Sequence, residues 1–123
     1  MTRRADADLL ARTVFDEAPC FAALVDAERK VVQANRAFER VFGEGFGKPC
    51  YSVAKGRAKP CEDCVAVLAF EDGEIHESEE EGRSAGGEAV WYSARAVPVR
   101  GPEGEVEQVL LLCLDTTRSK ELE

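Results

Sequence analysis

Three cysteines in the middle of the chain have the residue type and spacing to do chemistry. Ten residues separate Cys50 from Cys61, and Cys61 forms a C-x2-C pair with Cys64. A C-x2-C pair that opens a helix is a geometry used for metal ligation and for thiol–disulfide exchange. Pro60 suits the first position of such a helix, and the helix N-terminus together with Lys59 would favour the Cys61 thiolate. We therefore expect a metal or redox site at Cys50, Cys61 and Cys64.

The residues leave three chemistries open for this site: reduced thiols without a shared role, a reversible disulfide switch, or a bound metal. An all-cysteine tetrahedral site needs four ligands, so a fourth would come from Cys20, Cys113, His76 or an outside group. Cys20 and Cys113 fall on apolar segments, where cysteine packs as a small hydrophobic residue. His76 falls in a highly charged segment, where we expect it to be exposed.

Composition narrows the class of protein. The chain has 123 residues, 45% of them hydrophobic and 33% charged, which is typical of one globular domain. The net charge of −8 disfavours nucleic-acid binding. No apolar run approaches the roughly 18–20 residues of a membrane span, and no signal peptide is evident, so we expect a cytoplasmic protein without membrane insertion. No phosphate-binding glycine loop, Ser/His/Asp set or pair of catalytic carboxylates is present, so we expect no enzymatic activity in this chain.

The end of the chain indicates how these residues would be positioned. Residues 109–114 are a run of six apolar residues, which is typical of a strand buried on both faces. Asp115, Thr116 and Thr117 follow and predict the start of a helix. We expect this helix, which begins in residues 117–123, to continue into a partner domain.

Patterns along the rest of the chain predict an α+β fold. Asn35 suits the N-cap of a short helix that ends at Gly43, and residues 43–60 read as irregular. The order is a helix, two strands, short helices, three strands and an outgoing helix, which predicts an antiparallel sheet with helices on one face. The predicted elements are a helix at 5–17, strands at 20–26 and 31–34, helices from Asn35 and from Pro60, and strands at 74–83, 88–99 and 106–115.

Four features in this order resemble a PAS domain, the small sensory module of bacterial signalling proteins. They are Asn35-Arg36-Ala37-Phe38 at the entry to the first short helix, Trp91-Tyr92 through Val97-Pro98-Val99, the glycine-bearing acidic turn at 101–105, and Leu114-Asp115-Thr116-Thr117-Arg118. The resemblance implies a five-stranded antiparallel sheet of order 2-1-5-4-3. It also implies an N-terminal flanking helix at 1–18, a PAS core at 19–116 and the start of an outgoing signalling helix at 117–123.

The resemblance implies a function as well. A PAS module senses a ligand, redox or metal state and relays it to an output domain, and we expect a sensor histidine kinase as the parent, with a diguanylate cyclase or regulator next. In the family, the residue matching Asp115 caps the outgoing helix and the one matching Thr117 bonds back to the sheet. Two alternatives stay open: a thiol–disulfide redox protein using Cys61 and Cys64, and a ligand-free dimerisation module.

The cysteines resemble those of a subset of PAS domains with a Cys-Tyr … Pro-Cys-x-x-Cys pattern. They are also similar to those of oxygen-sensing PAS kinases that hold an iron–sulfur cluster on two C-x2-C pairs, although Gly47 stands where the leading cysteine of the first pair would be. Flavin photoreceptor PAS domains carry Asn-Cys-Arg-Phe, whereas this chain has Pro49-Cys50-Tyr51-Ser52. Haem would require a histidine on a helix. We therefore expect a metal or cluster as the candidate cofactor rather than flavin or haem.

A ligand cavity and a dimer complete the expectations. The cavity would lie between sheet and helices and be lined by Phe38, Phe42, Val65, Leu68, Trp91 and Leu112. The outer face of the sheet would need cover for Val109, Leu111 and Cys113. We expect the N-terminal helix and a second copy of the chain to provide it, which makes the protein a homodimer.

Overall fold

The computed structural model describes residues 4–56, 58 and 64–122. The elements of this part of the chain, in order, are α1 (Arg4–Glu17), β1 (Phe21–Val25), β2 (Val31–Ala34), α2 (Arg36–Phe42), α3 (Cys50–Lys55), α4 (Val65–Asp72), β3 (His76–Arg83), β4 (Ala89–Arg100), β5 (Val106–Asp115) and α5 (Thr117–Glu121).

The five strands form one antiparallel sheet of order β2-β1-β5-β4-β3. The predicted fold class and strand order are therefore confirmed. β5 pairs with β1 on one side and with β4 on the other. It lies at the centre of the sheet because its uninterrupted apolar run can be buried on both faces, whereas the acidic β3 lies at an edge.

The helices cover one face of the sheet, and the core lies between them. On β5 the residues that face the helices are Val109, Leu111 and Cys113, which belong to or pack against the buried core. The expectation that these three residues lie on the outer face was wrong. Successive side chains of a strand alternate between faces, so the outer face of β5 carries Leu110, Leu112 and Leu114 instead.

The helices differ in part from the prediction. Asn35 caps α2, as expected, and its Oδ1 accepts a hydrogen bond from the Phe38 backbone N–H at 3.0 Å. The segment expected to be irregular contains α3, which begins directly after Pro49 and ends at Gly56 with a left-handed φ of 63°. A proline before a helix and a left-handed glycine after it are signals of helix boundaries, but glycine and proline are equally typical of loops, so this stretch does not reveal the helix by its composition.

The predicted helix start at Pro60 lies outside the described residues, and the described helix that follows it is α4. α4 starts at Val65, and Cys64 occupies its N-cap position. Pro60 and Cys61 lie outside the described residues. α4 turns Val65, Ala66 and Ala69 toward the sheet, and the two alanines allow the helix backbone to approach closely.

α1 flanks the sheet beside β1. Ala11 and Phe15 of this helix and Leu24 and Leu110 of the outer sheet face wall a groove of about 550 Å³. Arg36 forms an ion pair with Glu17 at 3.0 Å between α2 and the end of α1. Among the helices of the described residues, none has the length and apolar character needed to cross a bilayer.

Candidate functional site

A cavity of about 70 Å³ lies between the inner face of the sheet and helices α2, α3 and α4. Its walls are mostly apolar and aromatic, and Phe42 packs against Phe38 and Tyr92 with ring centroids 4.8 and 6.3 Å away. The described lining residues are Ala23, Phe38, Phe42, Cys50, Tyr51, Ala54, Lys55, Cys64, Val65, Glu80, Tyr92, Ala94, Leu111 and Cys113.

Backbone pairing beside β2 brings Cys50 to this cavity. The Val31 N–H donates to the Lys48 carbonyl at 2.9 Å, and the Gly47 N–H donates to the Val31 carbonyl at 2.7 Å. The Cys50 N–H then donates to the Arg29 carbonyl at 2.8 Å. Three backbone bonds therefore anchor the segment that leads into α3, and Cys50 begins this helix at the cavity wall.

The structure brings two of the three predicted site cysteines to one cavity. Cys50 and Cys64 both line it, while Cys61 lies outside the described residues. No disulfide joins the four cysteines that are described. In the same part of the chain, no group of three or more histidine, cysteine, aspartate or glutamate side chains is arranged to hold a metal ion.

Cys113 is a third thiol at the cavity. Its strand, β5, turns it toward the helices. Burial raises the pKa of the Cys113 thiol to about 12, with smaller contributions from Cys20, Glu80 and Cys50. The thiol is therefore protonated at neutral pH and is a weak nucleophile.

His76, which the sequence offered as a metal ligand, has another partner. Its Nε2 lies 2.7 Å from Oδ2 of Asp72, the last residue of α4. The pKa of Asp72 lies below its usual value, first because the Glu74 backbone N–H donates to this carboxylate, and then because of His76. The pair therefore connects β3 to α4.

An ion pair between Lys55 and Glu80 supplies the charge at the cavity. Lys55 ends α3, Glu80 lies on β3, and the Ser78 hydroxyl donates to Oε2 of Glu80 at 2.6 Å. Burial acts to raise the pKa of Glu80, but the hydrogen bonds from Lys55 and Ser78 and the Lys55 charge outweigh it, so the pKa is lowered. Glu80 therefore carries its charge at neutral pH. Strand alternation turns Glu80 and Ser78 inward, whereas Glu77, Glu79 and Glu81 are exposed.

Gly82 allows α3 to pack closely on β3. A Cβ at this position would lie 2.3 Å from the Ala54 carbonyl oxygen and 3.1 Å from Cε1 of Tyr92. No side chain fits there without moving α3. The glycine therefore fixes the distance between β3 and the helix that carries Cys50 and Lys55.

The predicted cavity residues divide into two sets. Phe38, Phe42 and Val65 line the cavity, and Leu68, Trp91 and Leu112 are absent from its lining. Trp91 and Leu112 lie on strand positions that face away from the helices, and Leu68 lies beside the inward stripe of α4.

The prediction missed two cavity-lining residues on β4, Tyr92 and Ala94. A signal for them existed, because small or apolar residues recur at every second position from Val90 through Tyr92 and Ala94 to Ala96, and all four are buried. This period-two pattern assigns Tyr92, not Trp91, to the face that the helices cover.

The exit from the sheet is held by Thr117. Its hydroxyl accepts a hydrogen bond from the Trp91 N–H at 3.0 Å and donates to the Trp91 carbonyl at 3.4 Å. The Thr116 N–H also donates to this carbonyl, at 2.8 Å, and Oδ1 of Asp115 accepts from the Thr117 N–H at 2.9 Å. The ammonium of Lys120 lies 5.9 Å from the centre of the Trp91 ring. The first turn of α5 is therefore bound to one residue of β4.

The structure thus combines a five-stranded antiparallel sheet, a cavity under short helices, and a helix that leaves the central strand. The sequence model of the PAS fold family matches residues 15–121. The chain belongs to this family, as its motifs predicted, and is a PAS sensory module.

Solved structures share the fold. An RNA-binding light-oxygen-voltage receptor has a TM-score of 0.83 and 22% identity over 98% of this chain and 36% of that one. The PAS domain of a Colwellia psychrerythraea protein has a TM-score of 0.77 and 18% identity, covering 92% and 99%. The Vibrio cholerae VqmA dimer has a TM-score of 0.75 and 17% identity, covering 90% and 52%. At these identities the likeness shows the fold.

The chain spans 52%, 36% and 57% of the first three solved structures it matches, so those proteins are considerably longer than this chain. The sequence has no match among curated proteins.

Proposed function

We propose that this chain senses a small molecule in the cavity and transmits its presence to the exit helix α5. The ligand would contact Tyr92 on the inner face of β4. The displacement of β4 would change how Trp91 holds Thr117, and so the direction of α5. Asp115 would support this relay by fixing the first turn of α5.

A single observation carries this proposal: the cavity and the exit helix contact adjacent residues of one strand. Tyr92 lines the cavity, and the Trp91 backbone binds the Thr117 hydroxyl. A strand is stiff along its length, so a shift of Tyr92 moves the backbone of Trp91 with it. No longer path through the core is needed.

The relay is testable without knowing the ligand. Ala23→Val, on β1, adds two methyl groups to the cavity wall and imitates occupancy. We expect it to shift the emission of Trp91, the single tryptophan of the chain, and to raise amide hydrogen exchange in α5. Ala23→Val with unchanged emission and unchanged exchange in α5 would refute the relay.

The threonines at the exit supply a matched pair of variants. Thr117→Val removes the hydroxyl that binds Trp91, whereas Thr116→Val removes a buried hydroxyl that has no hydrogen-bond partner among the described residues. We expect Thr117→Val to abolish the effect of Ala23→Val on hydrogen exchange in α5. Thr116→Val should leave that effect intact. An equal response in both double variants would mean that the Thr117 hydroxyl does not transmit the change.

We propose that α5 continues into an output domain. The first candidate for the parent protein is a sensor histidine kinase, and the second is a diguanylate cyclase or a regulator. Support comes from the solved structures, in which the matching part is about a third to just over half of the chain. One of these is the structure of an RNA-binding receptor, and another is that of the VqmA dimer in the absence of its target DNA. The sequence that follows residue 123 in the full gene product tests the proposal directly.

We also propose a homodimer formed through α1 and the outer sheet face. Leu9, Leu10 and Val14 of α1 are 65%, 61% and 62% exposed, and Leu114 on the outer face is 63% exposed. Sedimentation at micromolar concentration should show a dimer that Leu10→Glu with Val14→Glu converts to a monomer. Phe46→Glu, at an exposed apolar residue elsewhere, is the control. A wild-type monomer would refute the dimer.

A thiol function is the second candidate, and it is supported by Cys50 and Cys64 lining the same cavity. Oxidation by hydrogen peroxide would join two thiols as a disulfide and release two waters. A mass decrease of about two hydrogens, absent in Cys50→Ser, would support a switch. Turnover in a reductant-coupled insulin assay would instead favour an oxidoreductase.

The metal or iron–sulfur site at Cys50, Cys61 and Cys64 stays a prediction from sequence, tested by anaerobic purification, absorption spectroscopy and metal analysis.

A further inference from the structure

The charges at the cavity are already matched. Of the described residues that line it, Lys55 and Glu80 are the two that are charged, and they form an ion pair. Their side chains are only 17% and 24% exposed. Both carboxylate oxygens of Glu80 accept hydrogen bonds, one from Lys55 and the other from Ser78. A charged ligand would have to break this pair to find a counter-ion.

The rest of the lining is neutral. It consists of the side chains of phenylalanine, alanine, valine and leucine, the tyrosines Tyr51 and Tyr92, and the cysteines Cys50, Cys64 and Cys113. Moving a charge from water into such surroundings without a new partner is strongly unfavourable, whereas moving an apolar group into them is favourable. The cavity therefore disfavours ligands that carry a charged carboxylate or ammonium group.

The size of the cavity limits the ligand further. It measures about 70 Å³, while sites for drug-sized ligands measure about 300–1,000 Å³ and an engineered cavity of about 150 Å³ holds benzene. A single ring requires some widening. The wall that can give way is α3, which has six residues and none that is fully buried.

We infer that the cavity binds a small, neutral, mostly apolar molecule no larger than about one six-membered ring, and that the Lys55–Glu80 pair excludes charged molecules of equal size. This inference rests on the proposed sensory function and names the class of ligand for it. The thiols add polarisable groups that suit an aromatic or sulfur-containing ligand.

Toluene, phenol, benzoate and benzylamine are nearly equal in size but differ in charge, so they test the effect of ligand charge on binding separately from that of ligand shape. At pH 7 and at concentrations about five times the dissociation constant, toluene and phenol should raise Tm by roughly 3–5 °C. Benzoate and benzylamine, which are charged at this pH, should leave Tm unchanged at the same concentrations. Calorimetric titration of the wild-type protein checks each result without any variant.

Variants of the ion pair test its role in selection. Glu80→Gln removes the negative charge beside Lys55 and should raise benzoate affinity at least tenfold, whereas Lys55→Met removes the positive charge beside Glu80 and should raise benzylamine affinity to the same extent. Toluene affinity should change less than threefold in both variants. Ala23→Leu, which fills the cavity, should abolish toluene binding.

The outcomes are distinct. Binding of toluene and phenol alone supports the inference. Binding of benzoate or benzylamine to the wild type as tightly as toluene overturns the ligand class, and so does a failure of all four probes to bind. The relay is tested separately by Ala23→Val, which involves no ligand, so failure of the ligand class and failure of the sensory relay are observed in different experiments.

Discussion

Asn35 joins the first strand to the first short helix, and its removal gives a prediction that can be worked out from the contacts. The side chain is fully buried. Its Oδ1 accepts hydrogen bonds from the N–H groups of Ala22 and Phe38, each at 3.0 Å, and its Nδ2 donates to the Cys20 carbonyl at 2.9 Å. Asn35→Ala removes all three bonds at once.

The expected cost follows from these contacts. Loss of an N-cap side chain destabilises a protein by about 1 kcal/mol. The Ala22 N–H would remain buried without a partner, which costs about 1–3 kcal/mol, and the lost bond to Cys20 contributes about 1 kcal/mol. We therefore expect the free energy of unfolding to fall by about 3–5 kcal/mol, a large part of the ~5–15 kcal/mol that stabilises a typical domain.

Urea denaturation at fixed protein concentration measures this loss. Ser84→Ala is the matched control, because the Ser84 hydroxyl accepts one exposed hydrogen bond from the Glu88 N–H at 3.1 Å. The control should lose less than about 1 kcal/mol. If Asn35→Ala lost no more than Ser84→Ala, the argument that its three buried bonds stabilise the junction would be refuted.

Three further predictions concern the cavity walls. Gly82→Ala should lower the unfolding free energy by about 1–3 kcal/mol, because its Cβ would collide with the Ala54 carbonyl. Gly86→Ala is the control and should be nearly neutral, because the nearest atom to its Cβ would lie 3.8 Å away. Equal melting temperatures of the two variants would contradict this reasoning. The pKa of Glu80 is lowered from 4.5 in the folded state, so its stabilising effect is present above pH 4.5 and is lost as the pH falls below that value. The stability difference between wild type and Glu80→Gln should therefore shrink in acid, and a constant difference would count against the ion pair. Iodoacetamide at pH 8 should leave Cys113 unmodified in the folded protein, because burial raises its pKa to about 12; rapid labelling found by peptide mass spectrometry would show that the thiol is accessible.

Much of the fold could be predicted because its signals are local. The apolar run at 109–114 predicted the central strand, Asn35 predicted the start of α2, and Asp115 with Thr117 predicted the exit helix. Each signal depends on the periodicity of a strand or on the hydrogen bonds of a helix end. α3 was missed because the glycines and prolines around it outweighed a helix of six residues.

The cavity was harder to predict because it depends on which face each side chain takes. The sequence prediction places Trp91 and Leu112 at the cavity, whereas the structure places Tyr92 and Leu111 there. The difference is one residue on each strand, and a shift of one residue reverses the face that a side chain takes. The alternation of small residues on β4 could have corrected the placement of Trp91. On β5 every residue of the run is apolar, so its sequence does not distinguish the two faces.

The sequence by itself determined the central strand at 109–114, the helix cap at Asn35 and the motif at the exit, because these follow from patterns within a few residues, whereas the strand order came from the resemblance to the PAS family. Only the tertiary structure decided that Cys113 joins Cys50 and Cys64 at one cavity and that Lys55 pairs with Glu80, 25 residues away. Such contacts depend on how closely α3 packs on β3, a distance that Gly82 sets. The site therefore depends on packing between secondary-structure elements, whereas the sequence patterns predict each element separately and not the contacts between them.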